Sequence, residues 1–342
     1  MLCRPRRPKP SGGSVLTRNT FAYLNARVRS RRSQVVPEAF FQQALSLSFP
    51  EFLRLLSETV YGADLVGDSL ADVDRAVTNH LARTVGDLPG LVSGEMRALV
   101  SLPLFRADLI NLKAILRGKQ SNKTPEEIKA TLLGGTLKEP LINAMIQAPD
   151  AASVAQILQV PGHPLAKALR NAAAGNPDLL ALEVALDREF FAASFERAKK
   201  LGQSRISAYF ALEVDVTNLN TAFKLQALGA SLPNLDGYFI AGGRYLGRAV
   251  FGRIASGDLA ALDALGGTPL APAMGARTLG ELERAVRGIM LARAASGATD
   301  SLGGGLVLDY IQRKQWEASR IRLLARRAYF NLPAEAVAKE IA

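Results

Sequence analysis

Two histidines and a scatter of paired carboxylates are all that this 342-residue sequence offers to reaction chemistry. His80 falls within apolar residues at helical spacing, where a packed or surface imidazole is expected rather than a ligand. His163 lies in a Pro-Gly-His-Pro turn and reads as a turn residue hydrogen-bonded to backbone. Cys3 is the single cysteine, so an intrachain disulfide is impossible and a zinc site of nitrogen and sulfur ligands cannot be assembled. The acidic pairs Asp72/Asp74, Glu126/Glu127, Glu213/Asp215 and Glu281/Glu283 are interleaved with Arg or Lys on helical patterns. That arrangement reads as solvated helix faces with partners one turn away, not as general acid and base. Gly118-Lys119 runs into Gln120 with no glycine five positions earlier, so the phosphate-cradling loop is missing. Gly303 to Gly305 lacks the spacing and the preceding strand of a dinucleotide fingerprint and reads as a flexible link between helices. The expectation is therefore a protein with no catalytic residue, no cofactor and no metal.

What must position these residues is a set of helices. Apolar residues recur at steps of three and four from Phe21 onward, and alternating strand-like runs are hard to find, so the fold class expected is all-α. One region is ambiguous: Gly237 to Phe251, rich in glycine and aromatic residues, suits a short hairpin or an irregular turn before a helix. The stretch DLINLKAILRGK at Asp108 returns as DVTNLNTAFKLQ at Asp215 and, more loosely, as EASRIRLLARRA at Glu317. The steps are 107 and 102 residues. A second marker keeps nearly the same period. Leu70, Val73, Val77 and Leu81 are echoed by Leu179, Leu182, Leu186 and Phe190, and again by Leu279, Leu282, Val286 and Met290.

The chain thus reads as three tandem helical units, 21–117, 118–224 and 225–333, with a basic extension over 1–20 and a tail over 334–342. If the helix FAYLNARVRSRRSQ and the first unit pack with the C-terminal helix, the three units close into a pseudo-threefold funnel; an open stack is the alternative. The repeated polar set is Asp108, Asn111 and Arg117; Asp215, Asn218 and Lys224; Glu317, Arg320 and Arg326. It admits two functions. Acid and amide one turn apart brace neighbouring helices, or three equivalent basic ends grip something on a common axis.

Charge excludes one class and narrows another. The net charge is +11, but residues 1–37 hold nine Lys or Arg and no acid, leaving 33 bases against 31 acids in the remainder. A persistent cationic surface for nucleic acid is therefore not indicated on the folded body. No window approaches 18 uninterrupted apolar residues, so no direct membrane span is expected and any membrane association runs through a partner.

FAYLNARVR from Phe21, FLRLLSETVYG from Phe52, LFRADLINLKAILRGK from Leu104, VPGHPLAKALR from Val160, YFALEVDVTNLNTAFKLQ from Tyr209 and RIRLLARRAYFNLP from Arg320 together carry a resemblance. The chain resembles the C subunit of bacterial and archaeal V-type (A-type) ATP synthases, itself similar to the d subunit of the eukaryotic V-ATPase, from Phe21 to about Pro333. The first twenty residues fall outside that pattern. The resemblance implies a funnel of three similar helical domains in the rotor, on the cytoplasmic face of the proteolipid ring, with the central shaft subunits of D and F type in its cavity. It implies no nucleotide, metal or proton site, and it assigns no residue to the shaft contact.

Overall fold

The structure, a computed structural model, describes residues 20–129, 131–175, 178–229, 235–300 and 302–341. Apart from Thr20, the basic extension expected over 1–20 lies outside the described residues. In chain order the helices are α1 (Phe21–Arg32), α2 (Glu38–Ala44), α3 (Phe49–Ser57), α4 (Leu70–Val85), α5 (Gly94–Val100), α6 (Leu102–Gln120), α7 (Pro125–Lys129) and α8 (Glu139–Gln147). They continue with α9 (Ala151–Gln159), α10 (Leu165–Ala173), α11 (Leu179–Lys200), α12 (Ser204–Ala227), α13 (Arg248–Ala255), α14 (Leu279–Ala295), α15 (Gly305–Tyr329) and α16 (Ala334–Ile341). Short 3₁₀ turns join some of them, and the described residues contain no strand, so the all-α expectation holds.

Local sequence explains where the recurring helices begin. α4, α11 and α14 start at Leu70, Leu179 and Leu279, the residues that open the second repeated pattern. Each is preceded by a short polar residue whose oxygen takes an otherwise orphaned N–H of the first turn: Ser69 from Asp72, Asp178 from Ala181, Thr278 from Glu281. At α4 and α14 the acid returns the bond to the capping residue, closing a capping box. Val73 and Val77, Leu182 and Leu186, and Leu282 and Val286 then fall on the buried side of their helices.

The three long helices α6, α12 and α15 each carry shorter helices, and the order in which they do so defines the topology. α6 packs with α7, α8 and α11, and α12 packs with α13 and α14, all of which follow in the chain. α15 packs with α2, α3 and α4, which come from the beginning of the chain. α1 lies along α15, where Asn25 Nδ2 donates to the carbonyls of Asp300 and Gly303 at 3.2 and 3.0 Å and Arg32 meets Asp309 at 3.3 Å. Two buried apolar clusters result. Phe40, Phe41, Phe52 and Tyr61 join Ile321 and Leu324 in the smaller, and the larger runs through α6, α11 and α12. Each aromatic ring fully withdrawn from water contributes roughly 2–3 kcal/mol by burial alone.

Three expectations change, and one open alternative is resolved. Of the hairpin and the irregular turn weighed for Gly237 to Phe251, the structure has the irregular turn, entering α13 and shaped by the carboxylate it encloses. Residues 334–341 form no tail: α16 buries Val337 and Ile341, and Glu340 pairs with Arg284. The triple glycine is a tight joint rather than a flexible link. Gly303 and Gly305 donate to Asp300, Gly304 donates to Gln203, and a Cβ on Gly304 would meet Ile206 at 2.5 Å and Phe21 at 3.0 Å. Finally, Glu213 and Asp215 are not on a solvated face; both are buried, because α12 is enclosed on most of its circumference.

Candidate functional site

Asp108 on α6 and Asp215 on α12 occupy equivalent positions and perform the same task. Asp108 Oδ1 accepts from the backbone N–H groups of Thr136 and Leu137 at 2.8 and 3.2 Å, and Oδ2 accepts from Thr136 Oγ1 at 2.5 Å. Asp215 accepts from the backbone N–H groups of Arg244, Tyr245 and Leu246 at 2.9, 3.0 and 3.1 Å. One turn later the amides repeat this. Asn111 exchanges two hydrogen bonds with the backbone of Leu133 at 2.8 and 2.7 Å, and Asn218 does the same with Ile240 at 2.8 and 2.9 Å. Leu133 and Ile240 lie 22 residues beyond their partners in both cases. The loop after each long helix is therefore clasped by its own helix.

Asp reaches only one methylene from the backbone, so each loop must approach closely. A Cβ on Gly135 would stand 2.1 Å from Asp108 Oδ1, and one on Gly243 would stand 2.0 Å from Asp215 Oδ1. The third unit meets the same requirement with a longer acid. Glu317 Oε2 accepts from the backbone N–H of Val36 at 2.8 Å, while Oε1 accepts from Tyr61 Oη at 2.7 Å and from Lys314 Nζ. The extra methylene lets a valine stand where the other two loops need glycine. In the Asn position, Arg320 grips Glu38 through both nitrogens, with Nη1 to Oε2 at 2.8 Å, and stacks over Phe41 at 3.7 Å. Arg320 holds the Glu38 carboxyl below its ordinary range. Burial raises Asp215, against the opposing pull of its three backbone donors.

His163 belongs to the first clasp. Its Nδ1 accepts from the backbone of Leu165 at 3.3 Å, which leaves Nε2 to donate to Asp108 Oδ2 at 3.3 Å. His80 sits beneath the third clasp, its ring 4.3 Å from that of Tyr61. Neither ring nitrogen makes a hydrogen bond, and the nearest carboxylate oxygen, of Asp64, is 3.8 Å from Nδ1. Burial, together with the charge of Lys314, pushes the His80 imidazole down to about 4.

The three basic ends are not equivalent in their surroundings. Arg117 binds both oxygens of Glu183 on α11, with Nη2 to Oε2 at 2.7 Å. Arg326 meets Asp74 on α4 at 3.0 Å. Asp74 and Glu183 are themselves repeat partners, since both stand four residues after the opening leucine of their helices, Leu70 and Leu179. The same place on α14 is Glu283, and Lys224 should reach it; the described residues contain no ion pair or hydrogen bond for Lys224. Burial lowers the Lys224 ammonium from its ordinary value. Lys224 and Glu283 instead line one groove of about 810 Å³, together with Arg117, Glu183, Leu228 and Leu279. Arg326 does not line that groove. The grooves beside α15 are smaller, about 230 Å³ between α4 and α6 and about 270 Å³ against α14.

Near their N-termini the three long helices line a small apolar cavity of about 60 Å³, with Leu102 and Pro103 from α6, Ile206 and Phe210 from α12, and Val307 and Ile311 from α15. Its one charged feature is a buried pair, Arg106 with Glu213, under the Phe190 ring. Burial raises the Glu213 carboxyl, against the attraction of Arg106.

Sequence reasoning named the clasping acids and amides but missed what they clasp. The Gly-Gly steps at Gly134-Gly135 and Gly242-Gly243 were a usable signal, because both follow their acid at nearly the same distance. Tyr61 and Glu38 carried no such signal, since they meet α15 only through closure of the chain.

Buried polar groups are thus spent on holding helix to loop, and the described residues contain no cluster of three His, Cys, Asp or Glu able to hold a metal. The class defined in this way is an all-α protein built on three long, similarly clasped helices. The family model for the ATP synthase (C/AC39) subunit matches residues 24–340, and the chain belongs to that family, the non-catalytic stalk subunits of rotary ATPase complexes. It is 51% identical over 321 residues to the C subunit of the V-type ATP synthase of Thermus thermophilus, covering 94% of this chain and 98% of the relative. It is 33% identical over 333 residues to the C subunit of the V-type ATP synthase of Deinococcus radiodurans, covering 94% and 91%. It is also 27% identical over 343 residues to the C subunit of the A-type ATP synthase of Halorubrum lacusprofundi, covering 93% and 96%. No described helix is long and apolar enough to cross a membrane.

Proposed function

We propose that this subunit is a rotor socket: three helical units set as a funnel, seated on the cytoplasmic side of the proteolipid ring and receiving the central shaft subunits of D and F type. In that position it passes rotation between an ion-driven ring and the machinery that makes or hydrolyses ATP. A coupling piece works by resisting shear, so its helices need directional ties as well as apolar packing. The observation that carries the reading is the recurrence of one clasp on three long helices, the third made between segments 281 residues apart. Closing the last unit with the first leaves no terminal unit to peel away under load. Asp108, Asn111, Asp215, Asn218, Glu317 and Arg320 are assigned to bracing in this reading. Arg117 and Arg326 are spent on intramolecular pairs, and Lys224 is the basic end left for a partner.

The test is purification of the intact complex from native membranes in mild detergent, with identification of every co-purifying protein. Recovery of shaft and ring subunits with this chain is expected. An intact ATPase that consistently lacks this chain overturns the assignment.

A further inference from the structure

In the apolar cavity and in the three larger grooves, each wall arginine has an acid partner: Arg106 with Glu213, Arg117 with Glu183, Arg322 with Asp74 and Arg287 with Glu340. A fifth cavity, of about 40 Å³, departs from that pattern. It lies where the start of α12, the end of α14 and the start of α15 meet, and its described walls hold Arg205, Tyr209 and Arg293 with no carboxylate. Among the described residues the Arg293 guanidinium forms no ion pair and no hydrogen bond. Arg205 forms no ion pair there either, and reaches only the Ser296 carbonyl, with Nη1 at 3.5 Å.

Tyr209 stands one turn after Arg205 on α12, on the same face. It is only 3% exposed, yet its hydroxyl makes no hydrogen bond among the described residues, whereas those of Tyr61 and Tyr238 donate to Glu317 and Asp178. Burial holds the Tyr209 phenol well above its ordinary value, so the group stays a donor. Asp300, in the loop before Gly305, turns its two oxygens to the N–H groups of Gly303 and Gly305 at 2.8 and 3.2 Å and forms no ion pair among the described residues. The cavity has room for about three waters, the space of one tetrahedral oxoanion. The positive end of α15 borders it through Gly305.

We infer that this cleft binds a phosphoryl group, with the guanidiniums of Arg205 and Arg293 on its oxygens and Tyr209 Oη donating to one of them. A carboxylate brings two oxygens in one plane to three donor groups that come from two helices; a phosphoryl group brings at least as many oxygens as there are groups to meet, in a tetrahedral array. The chemistry is shared by a phospholipid headgroup and by free phosphate. A headgroup in the cleft would set the N-terminal ends of α12 and α15 toward lipid. Free phosphate would instead tie α12, α14 and α15 together at their meeting point. The inference goes beyond the socket reading and does not depend on it.

The experiment measures binding of the full chain to two probes: inorganic phosphate, by phosphorus NMR line broadening, and vesicles of phosphatidylglycerol, by co-sedimentation. Arg205→Gln/Arg293→Gln, which keeps most of each side-chain stem, should weaken binding to at least one probe about tenfold. Arg27→Gln/Arg29→Gln removes the same charge from exposed residues of α1 and should change that binding less than about twofold. Tyr209→Phe leaves the charge untouched and should weaken it about threefold. This pattern with inorganic phosphate alone assigns the cleft to a soluble phosphate; the pattern with the vesicles assigns it to a headgroup. No binding to either probe, an equal loss in the two arginine pairs, or unchanged binding in Arg205→Gln/Arg293→Gln or in Tyr209→Phe overturns the inference. If the cleft pair does not fold, Tyr209→Phe decides by itself.

Discussion

The clasps on α6 and α12 and the clasp on α15 do the same work with different chemistry, and the difference follows from where each finds its loop. On α6 and α12 the loop follows in the chain 22 to 31 residues later, arrives close, and is held by a short acid and an amide against glycines. On α15 the loop comes from the other end of the chain, and the helix uses a longer acid, a buried lysine and an arginine pair to hold it. A local contact costs little loop entropy and tolerates modest ties, whereas a contact between segments 281 residues apart must recover more. The third clasp is accordingly the most heavily charged.

Its removal should produce the largest loss. Glu317→Ala leaves Lys314 fully buried without a counter-charge and strips Val36 N and Tyr61 Oη of their acceptor; a loss of about 4 kcal/mol in denaturant unfolding is expected. Asp215→Ala leaves three backbone donors unmet and should cost about 3 kcal/mol by the same measurement. An equal or larger loss at Asp215 would break the contrast between local and closing clasps.

Intermediate effects sharpen it. Gly243→Ala and Gly135→Ala each force a Cβ to within about 2 Å of a carboxylate oxygen, so each should cost about 2 kcal/mol, read as a lower midpoint of thermal unfolding. His80 reports on the closing clasp through pH. Its folded value, about 4, lies below the ordinary 6.5, so between those values the unfolded chain binds the extra proton and stability falls as pH falls. From pH 7 to pH 5 this amounts to about 2 kcal/mol. His80→Phe should flatten the slope of unfolding free energy over that window, and an unchanged slope would remove His80 from the account. Asp64, Arg83 and Lys314 face the ring and remain in the variant, so only the part due to His80 is read. The smallest effect is expected at Arg326→Ala, within about 1 kcal/mol, because that pair is partly solvated.

The sequence was most legible where a residue's partner is close in the chain. Helical class, the starts of α4, α11 and α14 and the positions Asp108, Asn111, Asp215 and Asn218 all follow from periodicity and capping residues. Glu213 and Asp215 show the limit, since a carboxylate between bases on a helix looks solvated until the enclosing elements are known. The triple glycine shows it again: it looks flexible in one dimension, yet a Cβ on Gly304 would run into Phe21 of α1 and Ile206 of α12, and Cβ atoms on Gly303 and Gly305 would run into Asp300.

Taken alone, the order of residues determined which surfaces of each helix are apolar, where the chain turns and that one module is written three times. Those properties depend on neighbours within a few turns. Tertiary structure decided which of the three basic ends form ion pairs, which loop closes the last unit and how large each groove is. Such outcomes depend on groups a hundred or more residues apart, whose separation in space no local pattern specifies.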